Sequence, residues 1–208
     1  MNNRFRCSDC KMFKKIPNVL TLLRVFLIPI YIVFFLLPYD WSNLAAALVF
    51  VIACFTDLLD GYLARKWNVC SKFGAFLDPV ADKIMVCVAL VMLVGWFSSH
   101  KSEYFSGFSI VLTICSVIII SREIVISALR EWMAEIGKRG LVAVSWIGKW
   151  KTAIQMMSIA GLIWRDQVFI FRDNWMANLS LVLMLIATVL TLWSMVSYLI
   201  VGVKYMDD

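Results

Sequence analysis

The sequence predicts an all-α, polytopic membrane protein of six transmembrane helices, and three observations carry that prediction. The 208-residue chain is 62% hydrophobic with a mean hydropathy of +0.84, which a water-soluble domain of this length rarely reaches. Its apolar residues gather into six runs of roughly twenty, the length that crosses a bilayer as a helix. None of these runs alternates as a lipid-facing β-strand does, so a β-barrel is excluded. Lipid offers backbone groups no partners, and helices satisfy their own.

Residues 1–15 are polar and basic and precede the first apolar run without a small-residue cleavage site. They predict a cytoplasmic juxtamembrane arm rather than a cleaved signal. Cys7 and Cys10 form a CxxC there, but zinc wants four ligands and no second CxxC or histidine lies nearby. The first span, 19–38, opens at Ile16-Pro17-Asn18. Proline suits a first helical turn, and Asn18 can cap the helix or touch a ligand. Pro29 lies within this span and is expected to kink it. Pro38 to Asn43 make a short outer turn into span two, 44–65, and a short cytoplasmic turn leads to span three, 75–97. Spans at 108–133, 143–164 and 175–202 follow. Trp41, Trp96, Trp164 and Trp175 fall near the outer boundaries, as interfacial tryptophans do. With no repeat and no long linker, 16–208 reads as one membrane domain. His100, the single histidine, falls in an outer loop, where solvent exposure is expected rather than catalysis.

Charge orients these spans. Fourteen of the twenty lysines and arginines lie before span one, at the junction of spans two and three or of spans four and five (the adjoining span ends included), or after span six. Three lie on the other side: Lys101, Arg165 and Arg172. Both termini are therefore expected in the cytoplasm, and the basic side should attract anionic lipid headgroups. The net charge of +6 suits a negatively charged partner, and nothing in the sequence points to nucleic acid.

The chemistry concentrates in 57–82, DLLDGYLARKWNVCSKFGAFLDPVAD. Asp57 and Asp60 lie at i, i+3, and Asp78 and Asp82 at i, i+4. Both spacings put a pair on one helical face. Carboxylates in a membrane-like chain are costly and mark function. The short turn makes the two helices antiparallel neighbours, so the pairs can face one another across a cleft. Four close carboxylates repel unless cations sit between them, and hard divalent ions such as Mg²⁺ take oxygen ligands. That implies metal-assisted chemistry on a phosphate-bearing substrate. The competing reading pairs each aspartate with Arg65, Lys66, Lys72 or Lys83. It leaves Gly61 and Gly74 unexplained: Gly61, beside Asp60, permits close approach of a ligand, or else tight helix packing. Pro79 leaves the local geometry of span three open.

The spacing D-x2-D-G-x2-A-R-x8-G-x3-D-x3-D is met in full by Asp57, Asp60, Gly61, Ala64, Arg65, Gly74, Asp78 and Asp82. By it the chain resembles the CDP-alcohol phosphatidyltransferase family. Segments 16–29, 73–83, 122–135 and 143–152 resemble the branch of that family that uses glycerol 3-phosphate, so the likeness covers all but the extension before Lys14. The resemblance implies transfer of phosphatidyl from CDP-diacylglycerol to sn-glycerol 3-phosphate, with CMP leaving, in the bacterial inner membrane. It implies Asp57, Asp60 and Asp78 as ligands of Mg²⁺ or Mn²⁺, two ions in all, and Asp82 as a further ligand and the base. It places Asn18, Thr21, Gly61, Arg65 and Ser71 around CDP-diacylglycerol, and it implies a homodimer.

Elementary chemistry agrees with that assignment. Cleaving a pyrophosphate builds charge on oxygen, which metals and a guanidinium stabilise where it develops. The acceptor carries its own phosphate and needs a second cationic pocket, for which Arg122, Arg130, Lys149 and Lys151 are the candidates. Arg122 and Arg130, eight apart, are expected to share a helical face. The lysines have a plainer reading as cytoplasmic charge, and Glu123, Glu131 and Glu135 a plainer one as their partners. A sister enzyme using inositol phosphate, serine or phosphatidylglycerol shares the core motif. A cation transporter would show carboxylates at the midplane and an inverted repeat, and neither is present. The complete motif argues against an inactive scaffold.

Overall fold

The computed structural model describes residues 16–67, 72–100, 104, 106–137, 146–164 and 175–203. Within these, the side chains of 16–19, 40, 60–67, 72–76, 78, 79, 146–149, 201 and 203 are not described. The arm at 1–15 with its Cys7/Cys10 pair, and Ser71, lie outside the described residues.

All regular structure among the described residues is helical. The six helices are α1 (Ile16–Leu36), α2 (Asp40–Trp67), α3 (Lys72–Ser99), α4 (Phe108–Glu135), α5 (Trp146–Ile163) and α6 (Trp175–Val203). Each lies on one of the six apolar runs read from the sequence. Among the described residues, four segments are long and apolar enough to cross a membrane: Trp41–Leu59, Val80–Ser99, Phe108–Glu135 and Trp175–Ile200. The apolar part of α1 is shorter, Leu20–Leu36, and α5 carries Lys149 and Lys151 in its first turns. Many large apolar side chains point outward, Phe26, Leu58, Ile110 and Trp193 among them. A surface so apolar is unfavourable in water and suits acyl chains. The fold is that of an all-helical membrane protein.

The chain packs as two compact units that divide within α3, Met1–Ala89 and Leu90–Asp208. In the first, α1 packs along α2. Tyr31, Phe35 and Phe50 fill the space beside the small residues Ala46, Ala47 and Ala53, with the Tyr31 and Phe50 rings 6.3 Å apart. At the turn between the helices, Ser42 Oγ donates to the Leu37 carbonyl at 2.8 Å, satisfying a helix-end carbonyl.

In the second unit α6 packs against both α4 and α5. Ser158 Oγ donates to the Ser180 carbonyl at 2.7 Å, and Gly161 lies so close that a Cβ there would run into the Ser180 hydroxyl. Small residues let membrane helices approach where apolar burial alone gives no preference over lipid. Ile126, Leu129 and Met133 of α4 close over Tyr198 of α6. Gly137 ends α4 at φ 73, a left-handed cap for which glycine is suited, with its N–H bonded to the Ala134 carbonyl. His100, expected in solvent, is half-buried: its ring stacks on Trp96 at 4.1 Å, and its Nδ1 lies 3.0 Å from the Trp96 carbonyl oxygen. The aromatic face of Trp96 offers the imidazole a better surface than water.

Candidate active site

The aspartate motif lies on α2 and α3 of the first unit, as its spacing requires. Asp57, Asp60, Gly61 and Arg65 occupy the last three turns of α2, and Asp78 and Asp82 the first three of α3. The two helices are four residues apart in sequence, so both pairs sit next to the same short connection. The side chains of Asp60, Arg65 and Asp78 are not described. Those of Asp57 and Asp82 are, and both are partly buried. Cys54, one turn before Asp57, lies within electrostatic reach of Asp57, Asp82 and Arg24 together.

Arg24 is the partner that sequence reasoning did not assign. It comes from α1, is 1% exposed, and its Nη1 lies 2.9 Å from Asp57 Oδ1, whose own side chain is 38% exposed. The competing reading had drawn the aspartates' partners from Arg65, Lys66, Lys72 and Lys83. For Asp57 the cation instead crosses from a different helix. The signal was available: an arginine inside an apolar span is expensive unless paired, and so marks a nearby acid. Removing Asp57 strands the buried guanidinium, at a cost of about 3–5 kcal/mol. Thr21, one turn before Arg24 on α1, is fully buried. The side chain of Asn18 is not described.

A second polar cluster is built on α4 and α5. Arg122 is 7% exposed, and its Nη1 donates to Glu123 Oε1 at 2.6 Å. Lys151 is fully buried, with its Nζ 3.7 Å from the same carboxylate oxygen. That distance permits attraction but is too long for a hydrogen bond. One carboxylate thus draws together two cations from two helices, in line with the pairing expected of Glu123. Arg122 Nε and Lys151 Nζ are buried and have no hydrogen-bond partner among the described residues.

Arg130 does not share this position. It is exposed, and its guanidinium lies over the Tyr198 ring, 5.8 Å from the centroid. Eight residues at 3.6 per turn overshoot two turns by about 80°, enough to carry Arg130 off the buried face. The side chain of Lys149 is not described.

The two clusters have complementary chemistry. Oxygen-only donors at the junction of α2 and α3 suit hard divalent cations, and buried unsatisfied cations on α4 and α5 suit an anion. A model of the CDP-alcohol phosphatidyltransferase family matches residues 14–193. The chain is 50% identical over 184 residues to the CDP-diacylglycerol–glycerol-3-phosphate 3-phosphatidyltransferase of Haemophilus influenzae, covering 88% of this chain and 91% of that one. Its likeness to the enzyme of that name from Escherichia coli K12 is also 50%, over 88% of this chain and 92% of the other.

Proposed function

The chain belongs to the CDP-alcohol phosphatidyltransferase family, and from that premise we infer that it transfers the phosphatidyl group of CDP-diacylglycerol to sn-glycerol 3-phosphate. The products are phosphatidylglycerophosphate and CMP. The carrying observation is identity at half of all positions, over nearly the full length, to enzymes named for this reaction.

Asp57, Asp60, Asp78 and Asp82 are the residues that would hold divalent cations, Mg²⁺ or Mn²⁺. The donor set fits, being carboxylate oxygen throughout and carried on two neighbouring helix ends. When bound, such ions neutralise charge that builds on the pyrophosphate oxygens. Asp82 takes the proton from the primary hydroxyl of the acceptor. The freed oxygen attacks the phosphorus that carries diacylglycerol. The bond from that phosphorus to the CMP oxygen breaks, and CMP leaves with the electron pair. Arg65, with Gly61, Ser71, Asn18 and Thr21, lines the CDP-diacylglycerol site; a guanidinium matches two phosphate oxygens at once. Arg122 and Lys151 hold the acceptor's phosphate, supported by their burial and open donor positions. Lys149 adds charge at the same helix start, and Arg130 at the periphery. The membrane reading extends to six spans with both termini in the cytoplasm, on the charge distribution. It extends to a homodimer on the family resemblance.

The test is CMP release by the purified protein in detergent with CDP-diacylglycerol, Mg²⁺ and one acceptor per reaction. Glycerol 3-phosphate should support release, and EDTA should abolish it. Release with inositol phosphate, serine or phosphatidylglycerol instead would keep the family and replace the acceptor.

A further inference from the structure

Beyond the two charged clusters, the second unit buries neutral polar atoms that have no hydrogen-bond partner among the described residues. Gln155 is 2% exposed, and its Oε1 has no hydrogen-bond partner among the described residues. The same holds for the buried hydroxyls of Thr191 and Ser194 on α6. Unsatisfied buried polar groups are rare because each forfeits its hydration, so a set of them points to a polar guest. Helix register brings Gln155 and Thr191 to the Arg122–Lys151 cluster. Gln155 follows Lys151 by one turn on the same buried face of α5. On α4, Arg130 lies over Tyr198. Arg122 is two turns before Arg130, and Thr191 two turns before Tyr198, so Arg122 comes level with Thr191 where α4 and α6 run side by side.

The guest must offer an anion to Arg122 and Lys151 and a neutral hydrogen-bonding group about one turn, roughly 6 Å, further along. Glycerol 3-phosphate has both: a phosphate, and a secondary hydroxyl on the carbon next to the phosphate-bearing one. Its primary hydroxyl is consumed by the reaction, while the secondary one is not. We propose that Gln155 recognises this non-reacting secondary hydroxyl and so sets the enzyme's choice of acceptor. An amide suits the task, since a hydroxyl both donates and accepts. The inference rests on the reading of Arg122 and Lys151 as the acceptor-phosphate site.

The experiment compares glycerol 3-phosphate with 3-hydroxypropyl phosphate, which keeps the phosphate and the primary hydroxyl and lacks the secondary one. The wild-type enzyme should favour glycerol 3-phosphate in kcat/KM by about 10- to 100-fold, because the analogue leaves a buried amide unsatisfied. In Gln155→Leu that ratio should fall to near one, through loss of glycerol 3-phosphate turnover, with the KM for CDP-diacylglycerol unchanged. A merely structural role would lower both acceptors together and preserve the ratio, which would overturn the proposal. If the leucine variant does not fold, Gln155→Glu keeps an acceptor atom for the hydroxyl. It should raise KM for both acceptors and retain the preference, and loss of the preference there would equally overturn the proposal. Arg122→Met separates the underlying reading. If it leaves KM for both acceptors unchanged, the phosphate site is misplaced, whatever Gln155 does to the ratio.

Discussion

The two polar regions of this molecule are built around opposite charges. At the ends of α2 and α3 four aspartates gather, and the cation that meets Asp57, Arg24, comes from α1. On α4 and α5 buried cations outnumber the single carboxylate they share, and neutral polar atoms beside them stay unsatisfied. A cluster of carboxylates calls for cations, and an excess of buried cation calls for an anion. A phosphatidyl transfer between two phosphorylated substrates needs both.

The largest effects should fall on the carboxylate side. Asp82→Asn keeps size and removes the base, so CMP release should drop about 10²- to 10⁴-fold with no change in elution from a sizing column. A drop under tenfold would reduce Asp82 to a structural residue and break the comparison at its strongest point. Next comes Asp57→Asn, which strands the buried Arg24 guanidinium and should lower stability by about 3–5 kcal/mol in thermal unfolding in detergent. Pairing it with Arg24→Met removes the stranded charge, so the double variant should recover much of that stability while activity stays lost. Equal melting of single and double variants would show that the pair does not brace α1 against α2.

The contrast also explains what was legible in the sequence. The aspartate pairs lie three and four residues apart, so helical geometry alone aligns each pair, and the helices then form where the apolar runs predict. Arg24 was visible as a charge inside a span, but its partner lies 33 positions on, joined through packing of α1 on α2. The second cluster is tertiary throughout. Lys151 reads as ordinary cytoplasmic charge until α5 is seen to bury it beside Glu123. Gln155, Thr191 and Ser194 carry no spacing that distinguishes them from polar residues satisfying one another between helices. Arg122 and Arg130, expected on one helical face, differ in burial for a local reason: eight residues are not a whole number of turns, so Arg122 is buried and Arg130 exposed.

On the cationic side the expected effects are smaller and selective. Lys151→Met or Arg122→Met should raise KM for glycerol 3-phosphate by about 10- to 100-fold, the worth of a charge-assisted hydrogen bond. KM for CDP-diacylglycerol should stay within error of wild type. Equal rises in both would mean that these cations support the fold rather than one substrate, and the two regions would no longer divide the labour.

The smallest effects should come from the helix contacts that frame the second cluster, and two glycines give a graded test. At Gly161 an added methyl would meet Ser180, whose hydroxyl can rotate away but whose Cβ, 3.3 Å off, moves only with α6. At Gly202 it would meet Leu129 Cδ1 at 2.7 Å, the free end of a side chain that can change rotamer. Gly161→Ala should therefore cost about 1–3 kcal/mol in thermal unfolding, as overpacking does, and Gly202→Ala less. Gly161→Ala should also raise KM for glycerol 3-phosphate and leave that for CDP-diacylglycerol alone, because pushing α5 off α6 displaces Lys151 and Gln155 with it. If Gly202→Ala proves the costlier of the two, Leu129 is pinned by its cluster with Ile126, Met133 and Tyr198. The contact of α4 with α6 would then be the rigid one, and the α5 contact the one that yields.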